Sequence, residues 1–174
     1  MSKTKLKKAL NALEKEELIN TIIELYDARK DAKDYLEYWL APDPQGELEK
    51  CVKLVNRQFY TPQGLSRRSP QSSAISKILK DFSTICFEPE KVAELMMQIC
   101  TISLNWINEK YRGVSHRTSL QKRLTELEQY IELHQLEDLY GLKLSRLRES
   151  VTEMLERYAN DSVPYTHRRR RRYW

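Results

Sequence analysis

The sequence predicts an all-α protein. Its 174 residues include only 4 glycines and 6 prolines, and apolar residues recur three or four positions apart through most of the chain, with few runs of alternating polarity. We expect about eight helices in a compact orthogonal bundle or a short αα-superhelix. They should form one domain over residues 1–160, followed by a disordered arginine-rich tail over residues 161–174.

The stretch VAELMMQICTISLNWI, residues 92–107, predicts a buried central helix over about residues 89–110. A helix that is apolar nearly all round must be covered on most sides, so we expect Glu94, Gln98 and Asn105 to mark a thin exposed or hydrogen-bonded side. The same residues interrupt the run, which falls short of the ~20 apolar residues that a bilayer requires. The sequence therefore predicts no transmembrane segment.

Three amphipathic segments precede this helix and predict an N-terminal helical layer. Residues 3–13 should form a short helix that lies on the body through its leucines. Residues 14–26 carry a stripe two residues wide, which is typical of a helix packed in the core; the stripe consists of Leu18, Ile19, Ile22, Ile23 and Tyr26. A third helix from Asp27 should end at Ala41-Pro42, where proline stops it.

Two further helices should flank the central one. The segment from about Gly46 to Phe59 buries apolar residues at helical spacing, and the segment with Ile75, Ile78, Leu79, Phe82 and Ile85 should pack directly on the central helix. The loop LSRRSPQSS lies between these two helices. We expect Ser69 and Pro70 in it to be the N-cap and first-turn residues of the helix that follows.

The part of the predicted domain that follows Gly113 predicts a helical hairpin. Two apolar stripes repeat every three or four residues and should pack antiparallel; they are Leu120, Leu124, Leu127, Ile131 and His134, and Leu144, Leu147, Val151, Met154 and Tyr158. We expect a turn over residues 136–141 with Leu139 and Tyr140 pointing inward, and we interpret His134 as a packing residue.

The cysteines indicate a reducing compartment. Cys51, Cys86 and Cys100 are odd in number, far apart and set in apolar patterns, so they read as small core residues without a disulfide framework. The basic N-terminus lacks an apolar signal-peptide core. We therefore expect a cytoplasmic protein.

The residues offer no recognisable catalytic constellation. The three histidines stand in no HExxH motif, and no CxxC pair, glycine-rich phosphate loop or GxSxG is present. Asp27, Asp31 and Asp34 share a helix face but alternate with basic residues, so a charged solvent face is the favoured interpretation over a cation site. We expect no enzyme activity, metal or cofactor; an acid-base site built from carboxylates remains an alternative.

The charge distribution separates a neutral body from a basic tail. Net charge is +5, and five arginines stand together at residues 168–172, so the remainder of the chain is neutral and lacks the broad basic surface of a dedicated nucleic-acid-binding domain. Arginines beside Tyr173 and Trp174 favour RNA or another polyanion. A short terminal charge run is also commonly a disordered, solvated end, and the same arginines would serve an acidic protein or an anionic membrane surface equally well. The candidate anion or nucleic-acid contacts are Arg67, Arg68, Lys77, Lys80, Arg168, Arg169, Arg170, Arg171, Arg172, Tyr173 and Trp174.

The order of features resembles an uncharacterised family of small all-helical proteins, known chiefly from Bacteroidetes. The resemblance rests on the opening KLKKALNALEKEELINTIIELYDARKDAKDYL, on SAISKILKDF and on AELMMQICTISLNWI, and it covers roughly residues 3–158. It implies helical architecture and no known activity, ligand or catalytic residue. LKKALNALEKEELINTIIEL is also similar to the SAP-type helix pair that binds DNA, but it lacks the glycine and the basic turn of that motif.

Two functional hypotheses follow. The first is a non-enzymatic helical protein that binds a protein partner, as an interaction or adaptor module with a partner surface on one side. The second is a nucleic-acid-binding or ribosome-associated accessory protein that acts through Arg168–Arg172, aided by Arg67 and Arg68. The sequence does not choose an oligomeric state.

Overall fold

The computed structural model describes residues 2–67, 69–109 and 113–160. These residues form eight helices, which confirms the predicted all-α class and the expected number. In chain order they are α1 (Lys3–Leu10), α2 (Lys15–Ala28), α3 (Lys30–Leu40), α4 (Pro44–Phe59), α5 (Ser72–Ile85), α6 (Pro89–Glu109), α7 (Val114–Leu133) and α8 (Glu137–Asn160).

Helix α6 is the centre of the core. It packs against α4, α5, α7 and α8, and Leu95 and Trp106 are almost fully buried, as the sequence predicts. Gln98 and Asn105 are exposed and Glu94 is half-buried, so the expected thin side is also confirmed. An apolar helix of 21 residues therefore serves as a core element surrounded by other helices.

Two tyrosines of α8 bind the backbone of α6 near its two ends. The Tyr140 hydroxyl donates to the Glu90 carbonyl oxygen at 2.9 Å, and the Tyr158 hydroxyl donates to the Ile107 carbonyl oxygen at 3.1 Å. Carbonyls in the last turn of a helix lack intrahelical donors, so Tyr158 supplies one of them. The hairpin of α7 and α8 is thus attached to the core by hydrogen bonds as well as by its apolar stripes.

The turn between α7 and α8 differs from the predicted one. Gln135 adopts a φ of 56°, and the amides of Gln135 and Leu136 donate to the carbonyls of Glu132 and Ile131, which is a Schellman ending. This motif closes the turn before residue 137, so the predicted turn over residues 136–141 is wrong. These residues lie mostly inside α8, where Leu139 is exposed and Tyr140 is buried.

The loop between α4 and α5 is tied back to the core. The Arg67 amide donates to the Phe59 carbonyl at 2.7 Å, Tyr60 and Ser66 form an antiparallel bridge, and the Trp106 Nε1–H donates to the Arg67 carbonyl at 3.1 Å. Because these bonds hold the chain beside the end of α4, α5 starts later, at residue 72, with Gln71 as its N-cap. The predicted Ser69-Pro70 cap is therefore wrong.

Helix α4 begins with a side-chain cap. The Asp43 carboxylate accepts from the Gly46 amide at 2.9 Å, and Pro44 occupies the first helical position, where its missing N–H costs nothing.

The cysteines are buried and free, as predicted, because each fills a small space in the core. Burial raises the pKa of the Cys51 thiol to about 11 and that of the Cys100 thiol to about 12.

The N-terminal helices correct two predictions. Neither α1 nor α2 contains a buried residue, so the leucines of α1 do not pack on the body and the stripe of α2 is not in the core. Tyr38 is the buried residue of α3, and α3 packs against α5. Helix α3 thus contacts the body through the side that carries Tyr38. Helix α2 packs on α3 and lies farther from the core.

Within the described ranges, no helix is long and apolar enough to cross a membrane.

Candidate interaction surface

Helices α2 and α3 expose large apolar side chains that a globular protein ordinarily buries. Ile22 and Ile23 are 50% and 52% exposed, and Trp39 and Leu40 are 62% and 74% exposed. We call the exposed side chains of Ile19, Ile22, Ile23, Trp39 and Leu40 the α2–α3 surface. Scattered apolar residues on a surface are ordinary, whereas a group of this size on two packed helices is typical of an interaction site.

The stripe of α2 stays about half exposed although α2 packs against α3. Arg29 is extended, with φ −135° and ψ 114°, so the chain bends there and α3 packs against α2. The Tyr26 hydroxyl donates to Glu37 Oε1 at 2.8 Å, and Lys33 Nζ lies 5.2 Å from the centre of the Tyr26 ring. These contacts involve the last turns of α2 and leave the isoleucines free.

The isoleucines form one continuous face. Ile19, Ile22 and Ile23 are spaced i, i+3 and i+4, so they share one side of α2. Glu16 precedes Ile19 by three residues and Asp27 follows Ile23 by four, so carboxylates border that face at both ends. The site is therefore apolar in its middle and acidic at its margin.

Helix α1 has the opposite charge. It contains four lysines and no carboxylate, whereas α2 contains four carboxylates and one lysine. Leu6, on the apolar side of α1, is 44% exposed. Among the described residues, the ion pairs include neither the lysines of α1 nor the carboxylates of α2. Two amphipathic helices of opposite charge thus stand next to each other in sequence without pairing.

The segment between α1 and α2 is itself ordered by hydrogen bonds. The amides of Ala12 and Leu13 donate to the carbonyls of Ala9 and Leu10, and Glu14 forms a capping box with Glu17. These bonds fix both helix ends. The isoleucines of α2 nevertheless remain about half exposed.

The predicted anion-binding residues of the body do not form one cluster of free cations. The Arg67 Nε–H donates to the carbonyl of Arg57 at 2.7 Å, and Lys77 pairs with Asp81 at 2.5 Å. Lys80 is exposed on α5. Lys77 thus has an ion-pair partner with which an anion would compete, and Arg67 is tied to the backbone of its own loop. Arg68, Arg168–Arg172, Tyr173 and Trp174 lie outside the described residues.

Sequence reasoning missed Arg123, which lies half-buried on α7. Its Nη2 donates to Ser72 Oγ at 2.9 Å, at the first turn of α5, and burial lowers the pKa of its guanidinium. With Trp106 and Ser119 it lines a cavity of about 40 Å³, room for roughly three waters. Arg123 stands in a charged stretch that reads as solvated, so no sequence signal marks it. The cavity suits solvent better than an organic ligand.

A larger cavity of about 410 Å³ between α3 and α4 is where an acid-base site would stand. The carboxylates that line it are those of Asp34, Glu37, Asp43 and Glu47. Asp34 pairs with Lys30 at 2.6 Å and Glu47 pairs with Lys50 at 2.5 Å. Asp43 caps α4, and Glu37 accepts from Tyr26. Each carboxylate therefore has a structural partner.

Metal-ligating residues do not converge in the described part of the chain: no group of three or more histidine, cysteine, aspartate or glutamate side chains there is placed to hold an ion. His134 is exposed at the end of α7, where its ring centre lies 4.3 Å from that of Tyr130. His116 packs edge-on against the Trp106 ring at 4.9 Å. Both rings thus contact aromatic neighbours.

A comparison with models of protein families shows to which family this chain belongs. The model of a family of unknown function matches residues 1–162. The chain belongs to DUF6155. No curated protein matches this DUF6155 chain, and no solved structure matches it. The match includes α1 to α8, so the α2–α3 surface lies inside the family region, while residues 163–174 lie beyond it. The expected bacterial origin stays a prediction.

Proposed function

We propose that this DUF6155 protein is a non-enzymatic interaction protein, and that a protein partner binds its α2–α3 surface. The observation that carries the proposal is the exposure of Ile22, Ile23, Trp39 and Leu40, each at least half exposed, on two helices that add little to the core. A helix whose apolar stripe lacks cover is a ready partner for another apolar helix face.

The free energy that a partner would gain by covering these side chains supports a binding role. Complete burial of one large aliphatic side chain is worth about 1.5–3 kcal/mol, so covering the half-exposed isoleucines contributes roughly 1 kcal/mol each. Trp39 belongs to the residue type that most often dominates an interface. Each of the four carboxylates that line the cavity between α3 and α4 has a structural partner, which favours binding over catalysis. Three buried free thiols fit the reducing cytoplasm, the compartment we propose.

Site-specific photo-crosslinking tests this proposal. A photoreactive phenylalanine derivative placed at Ile22 in cells should give a discrete protein adduct, and the adduct should vanish when Trp39→Glu is also present. The matched control is the same probe at Leu142, which is 69% exposed on α8 and lies outside the surface. Equal adducts at both positions, or none at Ile22, would contradict the proposal.

The second candidate is binding of RNA through the tail. It is favoured by Arg168–Arg172 beside Tyr173 and Trp174, which combine phosphate-pairing charge with stacking surfaces. Salt-dependent binding of single-stranded RNA should then disappear on deletion of residues 165–174. Binding that persists after the deletion, or that is absent from the full chain, would exclude this candidate.

A further inference from the structure

We infer that the occupant of the α2–α3 surface is a second copy of this chain, with the basic α1 of each copy lying over the acidic α2 of the other. This inference rests on the proposed function, because it names the partner of the same surface. It is independent of the tail.

The first support is complementarity of charge. Lys3 and Lys7 border the leucine face of α1 by helical spacing, as Glu16 and Asp27 border the isoleucine face of α2. The same chain therefore carries an amphipathic helix with lysines beside its apolar face, α1, and one with carboxylates beside its apolar face, α2. Within the described residues, neither these lysines nor these carboxylates form an ion pair. Each is the chemical complement of the other.

The second support is the ordered linker. The hydrogen bonds at Ala12 and Leu13 and the capping box at Glu14 order the segment between α1 and α2, and beside it the isoleucines of α2 remain about half exposed. The α1 of a second copy could cover them. In a two-fold arrangement every contact occurs twice, so a short helix of 8 residues contributes two α1–α2 contacts to one interface.

The third support is the form of the exposed area. Leu6 on α1, the isoleucines of α2 and Trp39 on α3 are each about half exposed. A specific interface buries about 800 Å² per partner, and an area of that order requires more than one helix. Exposed apolar side chains on three helices, α1, α2 and α3, are available to contribute to such an area.

The test measures oligomeric state by sedimentation velocity on the full chain over about 1–100 µM, a range in which a dimer of micromolar Kd dissociates on dilution. We expect the wild type to dimerise. Ile19→Glu with Ile23→Glu should give a monomer of unchanged helix content, because both side chains are exposed. Its melting temperature should equal that of the wild type below the dimer Kd, since dimerisation raises the melting temperature by mass action. Leu133→Glu with Leu142→Glu is the matched control and should remain dimeric.

Charge reversal supplies the decisive comparison. Lys3→Glu with Lys7→Glu, and separately Glu16→Lys with Asp27→Lys, should each raise the dimer Kd at least about tenfold through like-charge contacts. A mixture of the two variants should form a heterodimer, and all four substitutions in one chain should restore the homodimer. Each pair contains one change that favours its helix dipole and one that opposes it, so loss of helix does not mimic the result.

Three outcomes would overturn the inference. They are a monomeric wild type at the highest concentration, a dimer unaffected by Ile19→Glu with Ile23→Glu, and reversed variants that fail to rescue each other. A dimer that appears only when residues 161–174 are deleted would assign the surface to the tail instead. A monomer that still gives the Ile22 crosslink to a different protein would refute self-association and leave the proposed function standing.

Discussion

The indole N–H of Trp106 donates to the backbone carbonyl of Arg67 at 3.1 Å, so the most buried aromatic side chain of α6 also orders the loop that precedes α5. The Trp106 ring lies 5.8 Å from the Phe59 ring, edge to face. One residue therefore joins α4, α6 and the loop between α4 and α5.

Substitution of the two tryptophans should show that Trp106 contributes to the stability of the fold and that Trp39 does not. Trp106→Ala should lower the free energy of unfolding by about 3–5 kcal/mol, since it opens a cavity and removes the hydrogen bond to Arg67. Trp39→Ala, at a 62% exposed site, should change it by no more than about 0.5 kcal/mol. Urea unfolding followed by circular dichroism measures both. Similar losses for the two variants would show that Trp39 is packed in the fold.

The effect of Gly46→Ala on stability should change sign when Asp43 is also replaced by alanine. A Cβ at Gly46 would overlap the Asp43 carboxylate, so Gly46→Ala should displace the N-cap and cost about 1 kcal/mol, as Asp43→Ala does. In the Asp43→Ala background the clash is gone, and Gly46→Ala should stabilise the protein by up to about 1 kcal/mol through helix propensity. A double-mutant cycle of thermal unfolding measures the coupling. Simple additivity of the two changes would refute it.

The left-handed residue of the α7–α8 turn should accept glycine. Gln135 has a φ of 56° and is exposed, so Gln135→Gly relieves backbone strain and should stabilise the protein by roughly 0.5–1 kcal/mol. Gln135→Val, which is branched at Cβ, should destabilise it by more than about 1 kcal/mol. Melting temperatures of the three proteins provide the measurement. A lower melting temperature for the glycine variant would count against this geometry.

The fold elements that the sequence predicts correctly are those whose pattern is unambiguous. Helix α6 is apolar on more than one side, and only burial satisfies such a helix. The stripes predicted for α7 and α8 each have five residues at helical spacing, and a hairpin follows from their adjacency. Pro89 marks the start of α6 through chemistry that acts locally.

The remaining errors have a physical reason as well. Ile19, Ile22 and Ile23 have the same spacing as a core stripe, because an apolar face predicts that something covers it and not whether the cover belongs to the same chain. The turn at Gln135 carries no glycine, the residue that ordinarily marks a left-handed position. Arg123 is half-buried among residues distant in sequence, such as Ser72, which stands 51 positions earlier and accepts its hydrogen bond, a relationship that local pattern does not contain.

Buried thiols should make stability depend on alkaline pH. The folded-state pKa is about 11 for Cys51 and about 12 for Cys100, against about 8.5 in an unfolded chain. The unfolded state loses these protons first, so their contribution is complete below about pH 8.5 and declines as pH rises through the folded values. Between about pH 8.5 and 10, below the usual titration of tyrosine, the free energy of unfolding should fall with pH.

The thiols can be distinguished from other titrating groups. Cys51→Ala with Cys100→Ala should have lower stability at every pH and a flatter slope over the same interval, when urea unfolding is measured under a reducing agent. A slope identical to that of the wild type would assign the pH dependence to groups other than these cysteines.

Tyr38 is the buried residue of α3, and α1 and α2 have none. The amide protons of α1 and α2 should therefore exchange with deuterated solvent through local opening, while those of α6 exchange only when the whole core unfolds. A partner on the α2–α3 surface slows exchange in α2 and leaves the rate in α6 nearly unchanged. Isotope uptake in this one helix thus provides a direct measure of occupancy, separate from any measure of folding.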